Sequence, residues 1–232
     1  MKEKALDYLS YDKILNTDLI QQIVRYDAEI LYAEEDGVLV RNGGMYYIST
    51  ESHKTCEKLV PLMGDDPYFT AHNDYEVETI SRLTGRKWEI RICYHAVYEG
   101  EKMPLPYEHE IRMLDTSYLR FVRDTYKTFG DDKYISERLT NGDLFGAFDE
   151  SGEIMGFCGH HDDGILGMLE VLPMHRGKGV AKQLMTYLIN MDIENGYIPY
   201  SQIYITNEVS KALHRKLGFT LSRTPVYWNV QN

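Results

Sequence analysis

The segment VLPMHRGKGVAKQL, residues 171–184, constrains the fold more than any other part of the sequence. An apolar run ends in proline, two glycines follow one residue apart, and a helical pattern then begins. A strand that ends at a helix N-terminus directs several unpaired N–H groups and the positive end of the helix dipole toward one point. Gly177 and Gly179 leave those amides uncovered, and Arg176 and Lys178 add positive charge. The segment therefore predicts an α/β fold with a turn that binds a pyrophosphate.

Residue spacing excludes two other nucleotide-binding turns that use glycines. A P-loop requires the pattern GxxxxGK followed by Ser or Thr, which this turn lacks. A dinucleotide fingerprint requires a third glycine where Lys182 stands, and an acidic residue ending the next strand, which here ends in Thr206 and Asn207. The turn therefore belongs to neither class.

The overall charge limits the classes of partner. The 232-residue chain has 25 basic and 36 acidic residues, for a formal net charge of −11. This balance disfavours nucleic acid and anionic membrane surfaces, so we expect neither as a partner, whereas an amine-bearing partner fits better. The N-terminus lacks an apolar signal region, and no segment approaches the apolar length that spans a bilayer. We therefore expect a cytoplasmic protein.

The three cysteines indicate neither disulfides nor a zinc site. Cys56, Cys93 and Cys158 are odd in number, far apart and outside any CxxC pair. We expect buried thiols in a reducing compartment and no bound metal.

A linker divides the sequence into two predicted domains. The segment EGEKMPLPYEHE, residues 99–110, has two prolines, a glycine and many charges, which is typical of a linker. We place the boundary after residue 105, which gives domains 1–105 and 106–232. The second domain is predicted to contain, in order, a strand EIRMLD, a helix TSYLRFVRDTYKTF, a hairpin of LFGAFD and EIMGFCGH, a strand ILGMLEVLP, a helix over 180–190, a strand QIYIT, a helix over 208–217 and a strand VYWNV.

The first domain repeats much of this order. Its segment TAHNDYEVETISRLTG aligns with YITNEVSKALHRKLG, with an asparagine at the strand end and a glycine at the helix end of both. Its corresponding turn, ISTESHKT, contains neither glycine nor arginine. We infer a duplication in which only the second domain kept the anion site, and two unrelated α/β domains are the alternative.

Three motifs of the second domain together resemble those of the GNAT N-acyltransferase superfamily. Arg176-x-x-Gly179-x-Ala181 resembles the family's Q/R-x-x-G-x-G/A pyrophosphate signature. LEVLPMHRGKG is similar to the family's fourth strand, and NEVSKALHRKLGF is similar to its N-x-x-S/A-x-x-L-Y-x-K-x-G-F segment. The resemblance covers Tyr107 to Val230 and leans toward the glycine N-acyltransferase-like branch, whose members carry a degenerate N-terminal copy. It implies a mixed, mostly antiparallel sheet with splayed central parallel strands.

The resemblance also implies acetyl-CoA, or another acyl-CoA, as cosubstrate, held largely by backbone groups. Main-chain groups of Leu169, Val171 and Leu172 would pair with the pantetheine arm, and the Val171 N–H would be the oxyanion donor. The amides that would hold the pyrophosphate are those of Arg176, Gly177, Lys178, Gly179, Val180 and Ala181. Asn207 would hydrogen-bond pantetheine, and Ser210 either contacts the cofactor or begins a helix.

The sequence departs from the family at both catalytic positions. His214 stands where the family usually has the tyrosine that protonates the departing thiolate, and it is either that acid or a cofactor contact, or else a partly buried helix residue. Ile165 stands where many relatives place the base, and an apolar side chain cannot accept a proton. Glu170 is a candidate base or substrate-binding carboxylate, but strand alternation turns it away from the face of Ile165 unless a bulge resets the phase.

The segment HHDDG, just upstream, offers further candidates. Asp163, His160 and His161 lie close enough in sequence to reach the same cleft, although a solvated turn explains them equally well. A metal site is disfavoured there, because adjacent histidines on a strand point to opposite faces.

Two functions fit these motifs. The first is an N-acetyltransferase that moves an acetyl group from acetyl-CoA to a primary amine by direct attack in a ternary complex, in agreement with the lack of cysteine in the three motifs. The second is a non-catalytic acyl-CoA-binding sensor or scaffold, which Ile165 and His214 favour. We expect a small-molecule or peptide amine as acceptor; its identity, the acyl length and the oligomeric state are open.

Overall fold

A computed structural model of the chain describes residues 1–105, 109–128 and 131–230. The helices are α1 (Lys2–Leu9), α2 (Thr17–Arg25), α3 (His53–Leu59), α4 (Asp74–Thr84), α5 (Leu119–Thr125), α6 (Asp132–Asn141), α7 (Val180–Glu194) and α8 (Glu208–Lys216). The strands are β1 (Glu29–Glu34), β2 (Gly37–Asn42), β3 (Met45–Thr50), β4 (Tyr68–Ala71), β5 (Glu89–Val97), β6 (Glu110–Met113), β7 (Leu144–Phe148), β8 (Ile154–His160), β9 (Leu166–Val171), β10 (Tyr200–Tyr204), β11 (Thr220–Leu221) and β12 (Val226–Val230). Short 3-10 turns join some of these elements.

The predicted strands and helices occur in the predicted order, but the two-residue strand β11 was not predicted, and the other differences concern helices. α5 ends at Thr125, short of the predicted end, because Tyr126 adopts an extended conformation. The end of that predicted helix, Phe129, and the start of the resemblance, Tyr107, lie outside the described residues. The sequence patterns do not predict α1, α2 or α6, because these helices are short and each buries few apolar side chains.

Eight of the described strands form one sheet in the order β1-β2-β3-β4-β12-β5-β10, with β11 also paired to β5. The β3–β4 pair is parallel, whereas β1–β2, β2–β3 and both pairings of β12 are antiparallel. The remaining described strands form a second, antiparallel sheet in the order β6-β7-β8-β9. The predicted mixed, mostly antiparallel α/β class is confirmed.

Two compact units result. The first unit is Met1–Val97 with Gln202–His214 and Phe219–Asn232, and the second unit is Tyr98–Ser201 with Arg215–Gly218. These units differ from the linear division after residue 105, because β12 pairs with strands of the first sheet. That predicted boundary itself adjoins residues 106–108, which lie outside the described part of the chain.

Asn229 anchors β12 inside the first sheet. Its side chain is fully buried, and its Oδ1 accepts the Phe69 N–H at 2.7 Å. Its Nδ2 donates to the Pro67 carbonyl at 2.9 Å. Because one side chain satisfies two main-chain groups beside β4, it specifies both the neighbour and the register of β12.

In the second unit, α7 covers one face of the sheet, and α5 and α6 cover the other. The Cys158 thiol on β8 lies 3.5 Å from the Leu184 carbonyl of α7. The neighbouring residue, Phe157, packs edge to face against Phe121 and Tyr126 on the opposite side. Alternation along β8 therefore identifies the face on which a β9 side chain lies where the two residues are directly paired.

Candidate functional site

The predicted anion-binding turn lies on the surface between β9 and α7. Its residues from Arg176 to Gly179 are all exposed, and a 3-10 turn, Pro173–His175, connects them to β9. Gly177 has φ +75° and Gly179 has φ +85°, in the left-handed region that favours glycine. At either glycine, no heavy atom lies within 4 Å of the position that a Cβ would take. The turn is therefore open, as a pyrophosphate site requires.

The N-terminus of α7 has no side-chain cap. Gly179 occupies the N-cap position and offers no oxygen to the first amides of a 15-residue helix. The N–H groups of Val180 and Ala181 belong to the first turn, where the helix itself supplies no acceptor. These amides and the helix dipole favour an anion at this point.

At Val171, the main chain of β9 points away from β8. The Leu172 N–H donates to the Met155 carbonyl at 2.9 Å, so these two residues form a hydrogen-bonded pair. Hydrogen-bonded and non-hydrogen-bonded pairs alternate along antiparallel strands. Val171, opposite Gly156, therefore turns its N–H and C=O toward the edge of the second sheet, where β9 is the last strand.

Leu172 does not share this orientation, and its contact to pantetheine stays a prediction. Its N–H is bonded to Met155, and its carbonyl accepts the His175 N–H at 2.8 Å. Both main-chain groups therefore already make a hydrogen bond within the second unit, and Leu169, Val171 and Leu172 stay predictions as contacts of the pantetheine arm.

The Arg176 side chain turns back toward β9. Its Nε donates to the Val171 carbonyl at 2.9 Å, and its Nη2 lies 3.8 Å from Glu170 Oε2. The side chain is still 64% exposed, so the ion pair is solvent-screened and contributes little to stability. The guanidinium therefore links the turn to the strand end while keeping its charge at the surface.

The corresponding turn of the first unit is closed. β3 and β4 pair in parallel as far as Ile48 and Ala71, so they do not splay. The Ser52 side chain caps α3 by accepting the Thr55 N–H at 3.2 Å, and the acidic Glu51 stands beside it. A capped helix end beside a carboxylate does not attract an anion.

Asn207, Ser210 and His214 lie in the first unit, whereas the turn and β9 lie in the second. Asn207 Oδ1 accepts the Ser210 N–H at 3.0 Å and so caps α8. The Ser210 carbonyl lies 2.8 Å from His214 Nδ1, and its hydroxyl lies 3.3 Å from the same atom. Of the two predicted uses of Ser210, the structure thus shows the start of a helix, capped by Asn207.

These contacts disfavour His214 as the acid. A carbonyl only accepts hydrogen bonds, so Nδ1 carries the proton of the neutral ring. Burial lowers the pKa of His214, and the ring also packs edge to face on Phe219 at 4.8 Å. The only donor of the neutral ring is therefore bonded within α8, and a role for His214 stays a prediction.

Comparisons with known proteins agree on the fold. Residues 144–228 match the family described as FR47-like protein. A crystal structure of a Drosophila protein matches with a TM-score of 0.66 at 16% identity, covering 99% of this chain and 97% of that one. A GCN5-related N-acetyltransferase from Kribbella flavida matches at 0.54 and 12%, covering 94% and 95%. A GCN5-related N-acetyltransferase-like protein from Streptococcus suis matches at 0.50 and 15%, covering 97% and 100%.

The chain has a GNAT fold. At these identities the structural matches establish the fold and not the activity. No curated protein sequence matches significantly.

A bulge in β9 decides which residues of the GNAT fold share a face. Gly159 pairs with Gly167 and Phe157 pairs with Glu170, so β9 contains one extra residue between these pairs. The bulge is at Met168, whose φ of +46° is unusual for a non-glycine residue. Because directly opposed residues point to the same face, Gly167 and Glu170 both lie on the face of Phe157.

The bulge therefore resets the phase, as the sequence left open. Ile165 precedes Gly167 by two residues and shares its face by alternation. Glu170 joins them across the bulge, on the side of α5 and α6, and its side chain is 30% exposed. The strand thus presents the Glu170 carboxylate on the same face as Ile165.

The segment HHDDG forms a bonded turn and not a freely solvated one. The His161 N–H donates to the Ile165 carbonyl at 2.9 Å, and Asp163 Oδ1 accepts the Ile165 N–H at 3.3 Å. His160 Nε2 lies 3.1 Å from Asp192 on α7, whereas His161 Nδ1 lies 2.7 Å from the Tyr134 hydroxyl on α6. The two imidazole rings therefore lie on opposite faces of the second sheet, His160 on the side of α7 and His161 on the side of α6.

The structure also bears on metal binding, on the cysteines and on membrane-spanning helices. Within the described ranges, no group of three or more His, Cys, Asp or Glu side chains has the arrangement of a metal site. All three cysteines are free and buried, and burial raises the pKa of Cys56 and Cys93 to about 12. No helix in the described part of the chain is both long enough and apolar enough to cross a bilayer.

Tyr134 and Gly167 contact His161, and neither contact was predicted from the sequence. Tyr134 lies on α6, a helix that the sequence analysis does not predict, so no local pattern connects it to His161. Gly167 is one of many glycines, and only the structure shows that a side chain rests against it. The interruption of the apolar run ILGMLEV by a glycine is the one signal that pointed to a close approach.

Proposed function

We propose that this chain is an N-acyltransferase that transfers an acetyl group from acetyl-CoA to a primary amine. The observation that carries the proposal is the open turn at Gly177 and Gly179, at the uncapped start of a 15-residue helix and directly after the bulged edge strand of a GNAT fold. Because residues 177 and 179 are glycines and α7 has no side-chain cap, the backbone N–H groups at this helix start are accessible to a diphosphate.

The turn and the strand edge would hold different parts of acetyl-CoA. Amides from Gly177 to Ala181 and the charges of Arg176 and Lys178 would bind the pyrophosphate. The Val171 N–H, at the open edge of β9, would pair with the thioester end and stabilise the oxyanion as charge develops there. The turn suits a pyrophosphate because it offers hydrogen-bond donors and positive charges to an anion, and because no side chain covers it.

We propose direct transfer without a covalent enzyme intermediate. Cys158, the only cysteine of the second unit, is buried beneath α7, and burial raises its pKa well above the usual value. A thiol held in that state is a poor nucleophile. The amine nitrogen would therefore attack the thioester carbon itself, and the acceptor would be a small-molecule or peptide amine.

We also propose that the chain belongs to the glycine N-acyltransferase-like branch, with a degenerate copy in its first half. The order β1-β2-β3-α3-β4-α4-β5 repeats β7-β8-β9-α7-β10-α8-β11 along the chain. The side-chain cap on α3 and the continuous parallel pairing of β3 with β4 give a physical reason why the copy would not bind acetyl-CoA.

A non-catalytic acyl-CoA-binding module is the second candidate. The apolar Ile165 and the bonded donor of His214 favour it, because both stand where relatives carry proton-transfer groups. It shares the turn and the strand edge with the first candidate, so binding alone does not separate the two.

Thermal unfolding with and without acetyl-CoA tests the cofactor site. We expect acetyl-CoA to raise Tm in the wild type and not in Gly179→Glu, which places a carboxylate on the anion site. Gly196→Glu is the matched control: Gly196 has φ +73° just beyond the other end of α7, with no atom near a Cβ. It should keep the shift. A Gly179→Glu variant that also keeps it contradicts the placement.

Thiol release from acetyl-CoA separates the two candidates. With glycine, spermidine and a lysine-containing peptide as acceptors, turnover with any of them supports the enzyme. A preserved Tm shift without turnover supports the binding module.

A further inference from the structure

The Arg176 side chain lies at the strand edge that the proposed function assigns to the pantetheine arm. Its Nε donates to the Val171 carbonyl at 2.9 Å. Val171 turns that carbonyl away from β8, toward the open edge of the second sheet. A ligand that pairs with β9 as an added strand would use this carbonyl and the space beside it. The guanidinium therefore stands where such a ligand would bind.

A second contact holds the guanidinium against the end of β9. Its Nη2 lies 3.8 Å from Glu170 Oε2, so the side chain reaches back to two successive residues of the strand. The Arg176 side chain is 64% exposed and that of Glu170 is 30% exposed, so water screens their attraction. The guanidinium is therefore held weakly enough for a ligand to displace it.

Arg176 also begins the glycine turn. It directly precedes Gly177, and the uncapped start of α7 follows at Gly179. A diphosphate bound to the amides of this turn would lie beside Arg176, and arginine pairs with phosphate oxygens through two parallel hydrogen bonds. Such charge-assisted bonds are stronger than a bond to a neutral carbonyl. The same guanidinium therefore has two alternative acceptors, the Val171 carbonyl and a diphosphate at the turn.

We propose that Arg176 is a specificity-determining residue that admits acyl thioesters with a diphosphate and disfavours those without one. The inference rests on the proposed function and names the class of donor, which is free acyl-CoA in preference to acyl-pantetheine. A diphosphate draws the guanidinium from Val171 to the turn and leaves the strand edge to the pantetheine arm. A thioester without a diphosphate has to compete with the guanidinium for that edge.

Calorimetric titrations with acetyl-CoA and with S-acetyl-pantetheine, which ends before the diphosphate, test the proposal. We expect Arg176→Ala to weaken acetyl-CoA binding, because the turn loses a positive charge. The same variant should tighten acetyl-pantetheine binding by about five-fold, the lower end of typical couplings between two ligands. The two changes have opposite signs, and a role for Arg176 in phosphate binding alone would leave the second affinity unchanged.

Lys178→Ala is the matched control. It removes the other exposed cation of the turn and leaves the bond from Arg176 to Val171 in place. We expect it to weaken acetyl-CoA binding, as Arg176→Ala does, and to leave the affinity for acetyl-pantetheine unchanged.

Inorganic pyrophosphate provides a second measurement. In ¹⁵N spectra of the arginine side chains, the Arg176 Nε–H signal is assigned by its loss in Arg176→Ala. We expect pyrophosphate to shift this signal in the wild type, because the acceptor of the Nε–H changes. Pyrophosphate should also tighten acetyl-pantetheine binding in the wild type and not in Arg176→Ala, since coupling between two ligands is reciprocal.

The outcomes separate this inference from the proposed function. Tighter acetyl-pantetheine binding in Arg176→Ala, but not in Lys178→Ala, supports selection by Arg176. An unchanged or weaker affinity in Arg176→Ala overturns it and leaves the acetyl-CoA site in place. If acetyl-pantetheine binding is too weak to measure in every variant, an Arg176 signal that pyrophosphate shifts supports the selection, and an unmoved signal overturns it. A wild type that does not bind acetyl-CoA overturns both proposals.

Discussion

Asp18 and His72 form a fully buried charged pair in the first unit. Asp18 Oδ1 lies 2.7 Å from His72 Nε2, and His72 Nδ1 lies 2.7 Å from the Ile48 carbonyl. Both ring nitrogens face acceptors, so both carry protons. Burial opposes the charge on His72, but the Asp18 carboxylate outweighs it and raises the pKa of His72.

We expect Asp18→Asn to destabilise the protein by about 3–5 kcal/mol, because it leaves the imidazolium buried without its counter-charge. Urea unfolding at pH 7 measures the loss. Glu34→Gln is the control, since Glu34 pairs with Lys4 at 2.8 Å on the surface and such pairs contribute at most about 1 kcal/mol. Equal losses in the two variants would contradict a charged buried pair.

The same pair predicts a dependence of stability on pH. A histidine whose pKa is raised on folding stabilises the protein below its unfolded value near ~6.5, and this contribution is lost as pH rises through the folded pKa. Burial lowers the pKa of His95 and His214, so their effects fall below that range. We expect the free energy of unfolding to decline as pH rises above ~6.5, by at most about 1.4 kcal/mol per pH unit for one proton, and the decline to vanish in His72→Gln. If the free energy of unfolding of His72→Gln declines with pH as steeply as that of the wild type, the decline comes from another group.

At the scale of residues, the sequence predicted the turn and left the strand face open. The glycines and charges of the turn are adjacent in sequence, so their chemistry is local. The side of β9 on which Glu170 lies depends on one extra residue at Met168, and methionine gives no sign that it will adopt φ +46°. A two-residue periodicity alone therefore leaves the face of Glu170 open, because the answer depends on whether β9 contains the bulge.

At the scale of elements, α3 and α7 begin in opposite ways. α3 starts at a serine whose side chain accepts the Thr55 N–H, and α7 starts at a glycine with no cap. A side-chain cap that bonds the first amides stabilises a helix, whereas a helix start without a cap leaves those amides available to a ligand.

Ser52→Ala tests the first half of this contrast. We expect a loss of about 1 kcal/mol in the free energy of unfolding, the usual effect of removing an N-cap, with the acetyl-CoA-induced Tm shift unchanged. Ser81→Ala, within α4 and partly buried, is the matched serine control and should change stability by less than about 0.5 kcal/mol. A reduced Tm shift in Ser52→Ala would place acetyl-CoA in the first unit.

Helix prediction failed where periodicity was short. α6 buries only Ile135 and Leu139, and its start depends on Asp131, whose side chain accepts the Tyr134 N–H at 2.8 Å. One capping residue and one pair of apolar residues four positions apart are a weak signal for a helix. The strands were predicted well, since continuous apolar or alternating runs between glycines indicate them directly.

At the scale of the whole molecule, β12 completes a sheet built mostly from the start of the chain. Tyr227 pairs with Ala71 of β4 on one side and with Ile92 of β5 on the other. Without β12, both neighbours would present unpaired edges.

We therefore expect the fragment 1–105 to lack a cooperative unfolding transition. The same fragment joined through a flexible linker to residues 219–230, which carry β11 and β12, should regain one. Circular dichroism during urea unfolding measures both. A cooperative transition in the isolated fragment would show that the first sheet is stable without β12.

This pairing was beyond the reach of sequence patterns. VYWNV is recognisable as a strand, but strand propensity carries no information about the partner. Asn229 specifies the partner through bonds to Phe69 and Pro67, residues about 160 positions earlier. The division after residue 105 was drawn from composition, which records linkers and not strand pairing.

The position of β12 also sets a temporal order on the ribosome. β4 and β5 emerge early, yet the strand that lies between them is synthesised only after the whole second sheet has been translated. The first sheet must therefore wait, partly assembled, while its neighbour folds, and its two open edges are the surfaces that a chaperone would need to shield. Slowing translation within the second half would lengthen that exposure.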